Sequence, residues 1–201
     1  MRDKKPPAFG VWELAVLALL RERAMHPYQM QRLLRDRHKD ELLVLKRGSL
    51  YHAIHRLLGA GLIKAVKVGR SGRRPERTTY RITREGEQEL IRWLRQMLAN
   101  PKRESSEFMA CMSFLIHLEP DDAISQLEER ARQLEQQIRE IRERMSVVVA
   151  RVTRINLLES EYLVAMLDAE RKWIQGLLRQ LRLGELKWDL QQILAQISEA
   201  T

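Results

Sequence analysis

Ser49, His52 and Arg56 recur at i, i+3 and i+7 in the stretch KRGSLYHAIHRLLGAGLI, residues 46–63, with Tyr51 and His55 beside them. Hydroxyls, imidazoles and a guanidinium on one side of a helix can hydrogen-bond the base edges and phosphates of a DNA major groove. Lys46 and Arg47 stand at the start of this helix, where backbone N–H groups also point at anions. An ordinary solvated surface helix has a similar pattern, so context has to decide. Arg70, Arg73, Arg74 and Arg77 form a second basic group, suited to the DNA backbone or the adjacent minor groove.

A scaffold must position these residues. Leu50, Ile54, Leu57 and Leu58 lie at i, i+4, i+7 and i+8, a helix face that can be buried. Before it, Trp12 to Arg21 reads as a helix apolar on most sides, interrupted by Glu13. Pro27 is well placed at the first position of a second helix, with Tyr28, Met30, Leu33 and Leu34 as its buried side. Leu42 to Leu45 is ambiguous between an extended segment and a helical turn.

After Gly61 the period changes to two. Leu62–Val68 and Arg77–Thr83 flank GRSGRRPE, residues 69–76, and predict a β-hairpin with a cationic tip. Thr83 is placed to cap a further helix whose apolar side is Leu90, Trp93, Leu94, Met97 and Leu98, and Asn100-Pro101 ends it. Helix, helix, polar-faced helix, hairpin, helix is the order of a winged helix-turn-helix. Helix charge, hairpin charge and topology agree.

The second half predicts helices only. Residues 104–118 form one, with Phe108, Met112, Leu115 and Ile116 facing a partner surface. From Pro120 onward, Ile124, Leu127, Ala131, Leu134, Ile138, Ile141, Met145, Val148, Val152 and Ile155 are spaced alternately three and four apart, a coiled-coil seam. The seam needs either the chain's own next helix or a second copy. Leu158, Tyr162, Ala165, Met166, Ala169, Trp173, Leu177 and Leu181 supply an antiparallel return that Gly184 ends, and a tail helix with Trp188, Ile193 and Ile197 follows.

Charge divides the chain at the same place. Residues 1–103 carry 24 Lys and Arg against 10 Asp and Glu, a net +14; residues 104–201 carry 12 against 17, a net −5. The basic excess favours a polyanionic partner and resides wholly in the first half. The expected fold is mainly α with a small β-hairpin: a winged-helix DNA-binding domain over 1–103 and a helical, coiled-coil-like dimerisation domain over 104–201. No apolar run is long enough for a membrane span, and a single cysteine excludes an internal disulfide and fits a reducing cytoplasm. Cys111 reads as a buried small hydrophobe. His52 and His55 lack a third ligand cluster, so neither a metal nor any other cofactor is expected. No triad order or phosphate-cradling loop suggests an enzyme.

GSLYHAIHRLLGAGLI, followed by GRRPERTTYRITREG, resembles the PadR family of bacterial transcriptional regulators. Gly48-Ser49-Leu50-Tyr51, the Gly61-Leu62-Ile63 turn, Tyr80, and Thr83 with Gly86 carry the resemblance, over residues 12–98. It implies a homodimer on double-stranded DNA, usually a repressor on a palindromic operator. It also implies that a small aromatic or lipophilic effector can release the DNA, with Trp93 as a ligand-lining residue. Pro27 stands where the family usually has Gly. The competing expectation, from another class, is a coiled-coil scaffold that binds another protein and has no specific DNA binding.

Overall fold

The structure is a computed structural model that describes residues 10–37, 39, 47–66, 78–101 and 106–190; for 47 and 48 it describes the backbone. The chain divides into two compact units, Met1–Arg103 and Glu104–Thr201.

In the first unit, α1 (Val11–Glu22), α2 (Pro27–Asp36) and α3 (Arg47–Gly59) precede a two-stranded antiparallel sheet of β1 (Ile63–Val66) and β2 (Thr79–Ile82), and α4 (Arg84–Ala99) follows. This is the predicted winged-helix order. Pro27 is at the start of α2, where its missing N–H has no intrahelical partner to lose. Ahead of it the His26 ring nitrogen Nδ1 accepts from the Tyr28 amide at 3.1 Å, and Gln29 Oε1 accepts from the His26 amide at 2.9 Å. Val16, Leu17, Leu20, Met25, Met30, Leu50, Leu57 and Leu90 are sealed from solvent in one core.

Tyr28 is a correction: it is 58% exposed. Pro27, Met30 and Leu34 take the buried face of α2, and one residue beyond Pro27 is about 100° round the helix. Leu94, Met97 and Leu98 of α4 are also exposed, leaving Leu90 as the apolar residue that anchors this helix.

The hairpin register pairs Ile63 with Ile82 and Val66 with Thr79. Met25 adds a bridge on the far side of β2, exchanging both amide hydrogen bonds with Tyr80 at 3.1 Å. At the base of the hairpin Thr83 ties three segments together. Its hydroxyl donates to the Gly61 carbonyl at 2.9 Å and accepts from the Gly86 amide at 3.1 Å, and its own amide donates to the Leu62 carbonyl at 3.0 Å.

The second unit contains α5 (Glu107–Ser113), α6 (Pro120–Val148) and α7 (Leu158–Arg182). Leu127, Leu134, Ile138 and Ile141 of α6 are buried, and α7 packs along α6. The seam is therefore occupied from within the chain. It is also shorter than its spacing suggested. The helix ends at Val148, while Val152 and Ile155 lie in the connection and are exposed.

The return face differs too. Ile174, Leu178 and Leu181 are buried in the cluster that contains Leu127 and Leu134, with Leu167 and Leu177 packed against it. Leu158, Tyr162, Ala165, Met166 and Ala169 are exposed and outside it, and Trp173, half exposed, meets the Phe108 ring edge-on at 6.1 Å. Helix α7 is apolar on two sides, and period alone does not select which side meets α6. Cys111 is exposed, not buried, because α5 is only two turns long and has no fully buried residue. Trp188 closes the unit by donating its indole N–H to the Leu118 carbonyl at 2.9 Å. Ile193 and Ile197 lie outside the described residues.

On α7, Asp168 accepts from Lys172 at 2.7 Å and Arg171 at 2.8 Å, and these cations, Lys172 foremost, hold its carboxyl down to about 2. A carboxyl depressed on folding adds stability above its ordinary pKa near 3.8 that is lost as pH falls through the folded value. The Asp168 carboxyl carbon should accordingly titrate by NMR with a midpoint about 2; a midpoint near 3.8 would show that the two pairs do not persist in solution.

Candidate nucleic-acid interface

Helix α3 separates its residue types cleanly. Leu50, Ala53, Ile54 and Leu57 are at most 3% exposed, and Leu58 packs partly against the same core. Tyr51, His52, His55 and Arg56 are exposed, and Ser49 is half-buried at the edge. Leucine and isoleucine positions one turn apart fasten the helix to α1, leaving a ridge of hydrogen-bonding groups outward. Tyr51 and His55 could equally have packed inside the domain. They do not; Tyr51 is 58% exposed.

Arg56 has a partner that its position on the sequence does not reveal. Its Nε donates to Glu13 Oε1 at 2.6 Å, and its Nη2 donates to the same oxygen. Glu13 is fully buried, and its other oxygen accepts from the Gly10 amide at 2.8 Å. Among the described residues it is the only charged side chain so enclosed. An unpaired buried carboxylate would be costly, and both oxygens here are engaged.

The hairpin contributes cations at its described end. Lys64 and Arg81 are opposite each other in the register and are exposed, while Ile63 and Ile82 on the other face are buried. Like charges directly across a strand pair disfavour pairing by about 0.2–1 kcal/mol, a cost that a bound anion would relieve. Nothing near Lys64 in the sequence marks it, and only the register brings it beside Arg81. Lys46, Arg70, Arg73, Arg74 and Arg77 lie outside the described residues, as does the side chain of Arg47.

Trp93 is half-buried on α4. A shallow groove in the same unit is lined by Arg21 of α1 and by Gln88, Ile91 and Arg95 of α4; Trp93 is not among its lining residues. Among the described residues no group of His, Cys, Asp or Glu could hold a metal ion, and no helix is long and apolar enough to cross a membrane.

The family model for PadR-like transcriptional regulators matches residues 16–92. Among solved structures, Bacillus subtilis PadR in complex with operator DNA is similar at a TM-score of 0.71 and 19% identity, covering 86% of this chain and 99% of that one. PadR from the same organism in complex with p-coumaric acid is similar at 0.72 and 18% identity, with the same coverage. The Vibrio cholerae virulence activator AphA is similar at 0.66 and 17% identity, covering 86% of this chain and 98% of that one. At these identities the structural likeness speaks to fold. No curated protein sequence matches the chain.

Proposed function

We propose that this chain is a PadR-like transcriptional regulator, a reading supported by the match of that family's model to residues 16–92, and that it is a homodimeric repressor that reads a palindromic operator with the exposed ridge of α3. The observation that carries this reading is the division of α3 into a buried Leu50–Ala53–Ile54–Leu57 face and an exposed Tyr51, His52, His55 and Arg56 face. Ser49, His52 and Tyr51 reach base edges; Lys46 and Arg47 meet phosphates at the start of the helix. Lys64 and Arg81 add positive charge on the hairpin, and Arg70, Arg73, Arg74 and Arg77 contact the backbone or minor groove. The operator DNA bound to Bacillus subtilis PadR supports a duplex as the partner.

The p-coumaric acid bound to that protein supports a small aromatic effector here, with Trp93 as a contact. A protein-binding scaffold has no use for the basic excess confined to residues 1–103, which a DNA duplex does use.

The test is binding to a labelled duplex from the gene's own upstream region beside a scrambled duplex, across a range of salt. Specific binding should exceed random-sequence binding by at least about 10³-fold, with a steep linear fall of log K against log salt. His52→Ala should cost about 1–3 kcal/mol on the specific duplex only. Equal affinity for both duplexes at moderate salt would refute the reading. Adding p-coumaric acid to the bound complex tests release by an aromatic effector.

A further inference from the structure

We propose that Glu13 is a positioning residue of the DNA interface: from inside α1 it orients the Arg56 guanidinium on α3 so that it meets a backbone phosphate. This rests on the reading of α3 as the DNA-facing helix. A guanidinium is planar and carries five N–H donors in a fixed fork. Glu13 Oε1 takes the Nε and Nη2 donors, which fixes the plane and therefore the directions of the donors that remain. The carboxylate cannot swing to follow a moving partner, since its other oxygen is held by the Gly10 amide and the side chain has no exposed surface. The Arg56 side chain is nonetheless 55% exposed, on the same side of α3 as His52. One edge of the fork is thus fastened inside the domain and the rest faces outward.

The pair suits positioning better than mere adhesion. A buried ion pair is a poor way to gain stability, and apolar side chains of similar volume often serve as well. The neighbours of Glu13 in α1 are Ala15, Val16, Leu17, Leu19 and Leu20, all buried, so an apolar residue would suit this helix. A long arginine that is free in solution also loses rotamer freedom on meeting a phosphate, and an arginine already held loses little.

The experiment compares wild type, Glu13→Gln, Arg56→Gln and the double variant on the specific duplex at several salt concentrations. All are measured below the melting temperature recorded for each by circular dichroism. Arg56→Gln should lower the slope of log K against log salt by about 0.9, one phosphate contact. Glu13→Gln should weaken binding about tenfold while keeping the wild-type slope, since the Arg56 charge remains. In the Arg56→Gln background, Glu13→Gln should have no further effect, because its influence passes through Arg56. Should Glu13→Gln fail to fold, Arg56→Lys carries the test: it keeps both charges, lacks the fork, and should show weakened binding at an unchanged slope. An unaltered slope in folded Arg56→Gln, an equal loss from Glu13→Gln in both backgrounds, or wild-type affinity in Arg56→Lys would overturn the proposal. Absence of specific binding by the wild-type protein would instead overturn the reading of α3.

Discussion

Gly86→Ala should lower the unfolding free energy by about 2–4 kcal/mol, among the larger effects a single methyl can have. A Cβ at this position would sit 2.1 Å from the Leu62 carbonyl oxygen and 2.8 Å from an Ile82 side-chain carbon. The first is backbone, fixed by the hydrogen bond it accepts from Thr83, so it cannot turn aside as a side-chain tip could. Relief requires α4 to lift from the Gly61–Leu62 turn, which would break the three hydrogen bonds of Thr83. Thermal melts should show a fall of roughly 10–25 °C for a unit of this size. Gly59→Ala makes a control of opposite sign. Nothing lies within 4 Å of its Cβ and it sits in the last turn of α3, so replacement should be neutral or stabilising by up to about 1 kcal/mol. Equal melting temperatures for Gly86→Ala and wild type would mean that the close approach is absent in solution.

The second large effect concerns α7. Tyr162 is 68% exposed and Met166 51%, and neither belongs to the buried cluster at the α6 seam. Fully burying such side chains is worth about 1.5–3 kcal/mol each, and in the proposed homodimer this stripe is what a second copy would cover. Tyr162→Glu combined with Met166→Glu should give a monomer by sedimentation. Operator affinity should fall by about 10²-fold or more, because two half-sites are then engaged independently. Helical content should be kept, since neither residue belongs to the buried cluster with Leu127, Leu134, Ile174 and Leu178. A dimer of unchanged stability would locate the copy-to-copy contact elsewhere, with the exposed Leu94, Met97 and Leu98 of α4 next to be tested.

The parts that were legible in the sequence are those governed by local periodicity and local chemistry. The spacing of Leu50, Ile54 and Leu57 identified the buried face of α3, and by subtraction the outward one. Thr83 revealed itself as a cap because a hydroxyl before an acidic first turn has few other uses. Pro27 marked a helix start for a steric reason that operates without any partner. What escaped depended on a second surface. Glu13 read as an interruption of an apolar stretch, and nothing near it in sequence announces Arg56, 43 residues away. A lone acid in an otherwise buried helix was nevertheless a signal, for such a residue must be paired. Lys64 and Arg81 acquire meaning only from strand register. The heptad spacing ran on into Val152 and Ile155 because spacing has no means of registering where a helix ends. In α7, two apolar faces competed and only contact with α6 distinguishes them. Cys111 is exposed because apolar neighbours in sequence do not guarantee cover in space.

The α6–α7 pairing also governs the order in which the molecule can be assembled. Two consecutive helices joined by a short connection meet through contacts close in sequence, so their docking requires little loop closure and belongs to the fast end of folding rates. It is unimolecular and independent of how many copies are present. Any association of copies is then a later, bimolecular event between preformed hairpins, whose rate scales with concentration. A seam left for a second copy would have reversed this, tying the ordering of α6 to an encounter between chains. With the seam closed internally, a dilute and newly made chain already has its second unit built.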